Sequence, residues 1–336
     1  MVFTAAEEIS RMLKCPETGG PVVFRDGAFE SVESPGVRFP VEDGIIRAFL
    51  PDGGDLKGDV TDVIKAFYEE TPFPSYDEME TPGSLIEKSL DRVFPDMLNR
   101  SIPPHTKVLE VGCGTGQLGN FLSIADRKVL SVDMCLNSLR QAQNFKEKNG
   151  FDNVSFAQMN LFRMPLQAEY FDVVICTGVL HHTGFPEKGF RGLVPLVRPG
   201  GHIIIGLYNL YGRLKTRARR VLFGLIGERY ASLDPYISRF GATGEKLHSW
   251  FMDQYKNPHE SYHTMDEVLR WFRENGIIFL RGLPGTVFGS GFEMDYRASL
   301  FEPEPPGTGM DRFLSQVNQM LTDTEGGLFI MIGRKE

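Results

Sequence analysis

Cysteine and tryptophan are scarce: 336 residues hold four Cys and two Trp. The cysteines stand at 15, 113, 135 and 176 with no short paired spacing, which excludes a disulfide scaffold and a four-thiolate zinc site. No apolar run reaches the roughly 18 residues that a membrane span takes. The opening residues, MVFTAAEEISRM, lack the apolar core of a secretory signal, so the expectation is a reduced, cytoplasmic protein. A cationic excess is missing too. Lys and Arg number 36 against 44 Asp and Glu, a formal charge of −8, which argues against a surface wholly given over to nucleic acid. The rest is ordinary for a globular chain, 41% hydrophobic and 24% charged, with length for one large domain or two modest ones.

Residues 1–50 read as a small β module. Leu13-Lys14-Cys15-Pro16 leads to β-type runs at 22–24 and 37–41, with a turn at Asp43-Gly44. Fifty residues hold little core alone, so the module is expected to pack on the main body. Residues 51–104 read as a linker (51–57) and a helical cover. The cover has a helix over 59–69, an extended stretch at 71–76 set by two prolines, and a capping-box pattern at Ser84-Leu85-Ile86-Glu87 opening a helix to about Arg100. From 106 onward strands (107–111, 128–132, 154–158, 171–177, 202–207) alternate with helices (to 122, 136–148, 187–197). Two closing strands follow at 277–280 and 328–332, after a helix capped at Thr264. This pattern predicts an α/β fold with a doubly wound, mostly parallel sheet over 105–336. The segment 208–256 breaks the rhythm and reads as a helical lid insertion.

The strongest local signal is Val108-Leu109-Glu110-Val111-Gly112-Cys113-Gly114-Thr115-Gly116, a strand running into three alternating glycines and then a helix. Such a loop lets a ligand approach the backbone at the carboxyl end of a parallel sheet. Gly114-x-Gly116-x-x-Gly119 matches a dinucleotide fingerprint. The frame that starts directly after the strand, at Gly112, instead demands glycine at 117, where Gln117 stands. Glu110, two residues before the glycines, disfavours a pyrophosphate and favours a cationic ligand.

These residues resemble the class I S-adenosylmethionine-dependent methyltransferase family, whose donor carries an ammonium and a sulfonium and no phosphate. The glycine segment resembles the family's first motif. Asp133, ending Leu130-Ser131-Val132-Asp133, matches its acidic residue for the ribose hydroxyls. Asn160-Leu161 stand where the family often has an acidic residue near the adenine amino group, and an Asn amide oxygen can accept there. Phe171-Asp172-Val173-Val174 and Leu196-Val197-Arg198-Pro199-Gly200-Gly201 resemble its fourth- and fifth-strand motifs. The resemblance covers 105–207 and, loosely, 264–333. It implies a seven-stranded Rossmann-like sheet and S-adenosyl-L-methionine as cofactor. It also implies donor contacts from Glu110, Gly112, Cys113, Gly114, Gly116, Asp133, Met134, Asn160, Leu161 and Thr177. Residues 1–50 resemble a zinc-ribbon-like module fused to, or partnered with, several methyltransferases. Only Cys15 remains of its ligands, with Thr at 18, so a metal-free version is expected.

Methyl transfer is an in-line displacement, so an enzyme mainly positions the acceptor and removes its proton. His181 and His182, after the fourth strand, are candidate bases, with pocket shaping as the alternative. Tyr208, Tyr255, His259 and His263 of the insertion are candidates to line the acceptor, or else pack the lid; Tyr68 is placed to close over the donor. Arg213, Lys215, Arg217, Arg219 and Arg220 put five cations in eight residues, suited to phosphates of RNA or of anionic lipid, or to a solvated helix face. The expected activity is methyl transfer to O or C of a small-molecule or lipid-like acceptor. The alternatives are RNA methylation, a catalytically silent donor-fold subunit, and a dinucleotide oxidoreductase.

Overall fold

Alternating apolar residues build a central sheet with a core on each face. Leu109, Val111, Leu130, Val132, Ile203 and Ile205 point to one side; Val108, Val129, Ile175 and Ile204 point to the other. The computed structural model describes residues 6–51, 58–74, 76, 81–226, 234, 244–289, 298–322 and 326–336. Residues 52–57 of the expected linker (51–57) and the middle of the expected lid, 227–233 and 235–243, lie outside the described residues. Among the described residues, no helix is long and apolar enough to cross a membrane.

The N-terminal strands are β1 (Val22–Arg25), β2 (Ala28–Ser31), β3 (Arg38–Glu42) and β4 (Ile45–Arg47), preceded by α1 (Ala6–Met12). Next come α2 (Thr61–Glu70), α3 (Pro82–Leu90) and α4 (Val93–Ser101). The alternating region supplies β5 (Lys107–Val111), α5 (Gln117–Ser123), β6 (Lys128–Asp133), α6 (Leu136–Asn149), β7 (Val154–Gln158), β8 (Phe171–Thr177), α7 (Pro186–Leu193) and β9 (Val197–Tyr208). Within the described part of the insertion stand α8 (Leu214–Ile226), α9 (Gly244–Phe251) and a π-helix at Met252–Lys256; α10 (Met265–Glu274), β10 (Ile277–Leu283), α11 (Gly309–Thr322) and β11 (Leu328–Lys335) follow.

The sheet order is β1-β2-β3-β4-β7-β6-β5-β8-β9-β11-β10. The expected seven strands, β7 to β10 in that order, are therefore part of a mixed, eleven-stranded sheet. The correction has a physical cause. β4 pairs in parallel with β7, Ile45 opposite Phe156, and covers an edge that would otherwise offer unpaired backbone groups. Neighbouring strands from β7 to β9 are parallel; β11 runs antiparallel between β9 and β10.

Two helix expectations also shift. The capping box belongs to Thr81 and Ser84, with Pro82 at the first helical turn, and not to Ser84 and Glu87. The single helix expected to Arg100 is two, α3 and α4, separated at Asp91-Arg92. Pro95 has no N–H to give the carbonyl four residues back and would clash with it, so a continuous helix cannot pass.

Candidate active site

β5 has β6 on one side and β8 on the other, so the chain leaves its neighbours in opposite directions and a crevice opens at their carboxyl ends. A cavity of about 440 Å³ lies there, in the range of small-molecule sites. Its wall takes residues from the β5–α5 loop, from the ends of β6, β7 and β8, from α2, and from the insertion.

The first half of the wall is built from neighbouring strand ends. Gly112, Gly114 and Gly116 all adopt positive φ (73°, 53° and 72°). Asp133, at the end of β6, ties the loop down: its Oδ2 accepts from the Gly114 N–H at 2.9 Å and its Oδ1 from the Cys135 N–H at 2.8 Å. A strap at Phe73-Pro74 crosses above, where Thr115 Oγ1 donates to the Pro74 carbonyl at 2.6 Å. A Cβ on Gly114 would collide with the Phe73 carbonyl, so this glycine answers to both φ and packing.

Glu110 lies beneath the loop and accepts from Ser131 Oγ at 2.6 Å. A Cβ at Gly119 would collide with Ser131 Oγ and crowd the Glu110 carboxylate. The third glycine of the dinucleotide-like match therefore makes room for a carboxylate. Burial pushes Glu110 up to about 7, opposed by hydrogen bonds from Ser131 and Gly119 and reinforced by Asp133. Burial raises Asp133 as well, against its backbone hydrogen bonds. A buried and a half-buried carboxylate in one crevice favour a cationic guest over an anionic one.

Asn160 also meets the cavity. Its Oδ1 accepts from the Phe162 N–H at 3.0 Å, and its buried Nδ2 has no partner among the described residues. The side chain thus offers the cavity a donor, suited to a ring nitrogen, where the sequence suggested an acceptor for an amino group.

The second half of the wall comes from distant parts of the chain. Tyr68 of α2 donates to Asp253 Oδ1 at 2.7 Å and accepts from Asn257 Nδ2 at 2.9 Å. Gln254 Nε2 reaches Asp253 Oδ2 at 2.8 Å and the Tyr208 hydroxyl at 3.1 Å. The π-helix at Met252–Lys256 buries Asp253, Gln254 and Tyr255 in succession, and Asp253 and Gln254 meet the cavity. His182 Nδ1 bonds the His259 carbonyl at 2.9 Å. A carbonyl can only accept, so Nδ1 carries the proton and Nε2 keeps its lone pair. Burial lowers the His182 pKa, although the Asp253 carboxylate pulls the other way. Burial raises Tyr68 and Tyr208 well above the usual phenol range, so both are donors at neutral pH.

Of the residues singled out in the sequence, the cavity wall contains Glu110, Gly112, Cys113, Gly114, Asp133, Met134, Asn160, Leu161, Thr177, His182, Tyr208 and Tyr68. Others stand behind it. Gly116 starts α5 against Ala142 and Phe156. His181 is fully buried, stacks on Tyr208 at 3.8 Å and accepts from the Tyr208 N–H at 3.2 Å. Tyr255 bonds Asp234 and packs on Phe223. His259 takes part through its carbonyl. His263 bridges Ser261 and Glu267 at 2.9 and 3.0 Å and packs on Trp271. The five-cation run is not one face: Arg213 is buried over the Tyr208 ring and paired with Glu260, which Arg220 also meets at 3.1 Å. Sequence reasoning missed Trp250, Asp253 and Gln254. No local signal marks them: in the sequence Asp253 is one more acid on a helix.

Comparison with known proteins gives this cavity its context. A family model described as a methyltransferase domain matches residues 102–276, just over half of the chain. An uncharacterized protein of Synechococcus is 25% identical over 276 residues, 72% of this chain and 65% of the relative. A ubiquinone biosynthesis O-methyltransferase of Acinetobacter baylyi is 30% identical over 125 residues, 37% of this chain and 50% of the relative. The chain thus spans half to just under two thirds of these relatives. PKMT2 from Rickettsia typhi, solved in complex with AdoHcy, shares the fold at 15% identity and a TM-score of 0.50, covering 76% of this chain and 53% of that one. The chain belongs to the methyltransferase-domain family.

Proposed function

We propose that the enzyme moves the methyl group of S-adenosylmethionine to a hydroxyl oxygen of a small or lipid-like, largely apolar acceptor. The observation that carries this reading is His182. It is neutral, its proton is held on Nδ1 by a carbonyl, and it stands in the wall of a cavity shared with the glycine loop. Its Nε2 is the free base for an acceptor proton, and Asp253 with Tyr68 fixes the acceptor's polar end. The sulfonium supplies an already activated methyl group, so alignment is the main remaining task.

On this reading Asp133 accepts from the ribose hydroxyls, and Asn160 Nδ2 donates to an adenine ring nitrogen. Glu110 and the loop face the methionine ammonium. The names of the relatives matched over 125 residues, ubiquinone biosynthesis O-methyltransferases, favour oxygen as the atom methylated. Residues 1–50 act as a metal-free zinc-ribbon-like module that caps the sheet edge, and 51–104 as the cover that carries Tyr68 over the site.

The test is transfer of label from methyl-labelled S-adenosylmethionine to a panel of phenols, including long-chain ones, with the product read by mass spectrometry and NMR. A methoxy product supports the reading. Label on nitrogen, label on RNA, or donor binding with no transfer to any acceptor would overturn it.

A further inference from the structure

Helix α11 is inside out. Its buried residues are polar: Ser315 donates to the Gly285 carbonyl at 2.6 Å, Gln316 accepts from Asn209 Nδ2 at 2.8 Å, and Gln319 donates to the Leu328 carbonyl at 2.7 Å. Its apolar residues Met310, Phe313, Leu314, Val317, Met320 and Leu321 recur at helical spacing on the opposite side, half-buried or exposed. Leu321 is 64% exposed and Met310 65%. A helix that spends its hydrogen-bonding side chains on the interior and turns its apolar stripe outward gains nothing from that stripe in the isolated chain.

Helix α8 lies beside it. Lys215 Nζ donates to the Leu321 carbonyl at 3.2 Å, and Tyr211, just before α8, meets Phe313 edge-on at 5.5 Å. The outward side of α8 carries Leu214, Val221 and Leu222, with Val221 69% exposed. The sequence of α8, LKTRARRVLFGLI, has four cations and no acid. Lys215 and Arg217 are exposed, on a chain whose formal charge is −8.

We propose that the joint outer face of α8 and α11 docks on an anionic lipid bilayer, with the apolar side chains entering the headgroup boundary and the exposed Lys215 and Arg217 meeting lipid phosphates. Exposed aliphatic and aromatic residues beside an acid-free basic helix are the two signals that together hold a protein on such a surface. Charge complementarity selects this occupant over a second copy of the chain. A two-fold interface with α8 at its axis would set the cations of one α8 against those of the other. The inference rests on this surface alone and does not depend on the atom methylated. It does place Tyr208, in the cavity wall, within a few residues of the docked helix.

The experiment is co-sedimentation of the full chain with vesicles of equal parts phosphatidylglycerol and phosphatidylcholine, and with vesicles of phosphatidylcholine alone. Wild type should bind the anionic vesicles, more weakly as salt rises. The double variant Val221→Asp/Leu321→Asp should lose about tenfold or more in affinity, since it sets charge where apolar contact is needed. Its S-adenosylhomocysteine affinity should stay at the wild-type value, reporting an intact fold. The proposal is overturned if wild type stays in the supernatant, or if the double variant binds as tightly as wild type. It also fails if wild type dimerises without vesicle binding and the same substitutions abolish the dimer.

Discussion

The two ends of the cavity are built differently. The end at the glycine loop draws on strand termini that follow one another within about fifty residues: Glu110, Gly112 and Gly114, then Asp133, then Asn160. The other end joins Tyr68 to Asp253 across 185 residues and His182 to His259 across 77. The first end is a property of the parallel sheet, its loop N–H groups tied to the carboxylate at the next strand end. The second is a property of how the cover and the insertion meet, and it is held by side chains. A donor common to a family can be bound by what the sheet already offers, whereas the acceptor site must be supplied by added segments.

Substitutions should separate the two ends. The largest effect is expected for His182→Ala: turnover falls about 100-fold or more, as for loss of a general base, while donor affinity changes little. Steady-state kinetics paired with calorimetry would check it, and equal losses in both would merge the two ends. Next, Asp133→Ala should weaken S-adenosylhomocysteine binding by about 1–3 kcal/mol, the range for hydrogen bonds to a charged group, with smaller change in turnover at saturating donor.

A pH series sharpens the contrast. Glu110 is raised from the ordinary carboxylate range to about 7, and a bound cation favours its ionised form. Donor binding should therefore release a proton and weaken as pH falls below about 7, by at most about tenfold per pH unit, with no such slope above it. The same shift means that the native state holds this proton more tightly than the unfolded chain. Glu110's contribution to stability is then fullest at low pH and is lost as pH rises through about 7. Glu110→Gln should flatten the binding profile, read by calorimetry in buffers of different ionisation enthalpy. The smallest effect on the site is expected for Tyr255→Phe. That hydroxyl meets Asp234 behind the wall, so donor binding and turnover should hold, with about 1–3 kcal/mol lost in thermal stability.

What the sequence disclosed follows the same division. Strands β5 to β9 are runs of apolar residues covered on both faces, so the strands and the glycine loop could be read directly, whereas Asp133 and Asn160 were singled out by the family resemblance. Asp253 could not, because nothing local distinguishes it from any acid on a helix. Only the meeting of α2 with the π-helix gives it partners. Helix α11 carries a helical spacing of apolar residues, but periodicity cannot tell that Ser315, Gln316 and Gln319 form its buried side. Strands β2 and β4 escaped by length, four and three residues, too short for alternation to show. Asn160 stands in the cavity wall, and its orientation there depends on the Phe162 N–H, a contact that only the three-dimensional turn creates.

The most direct measurement is a crystal structure of the full chain with S-adenosylhomocysteine. The ribose hydroxyls should lie on Asp133, with an adenine ring nitrogen on Asn160 Nδ2. The thioether should face the remaining space bounded by Tyr68, His182 and Asp253. A ligand seated away from Asp133, or one that leaves no space beside His182, would contradict the account.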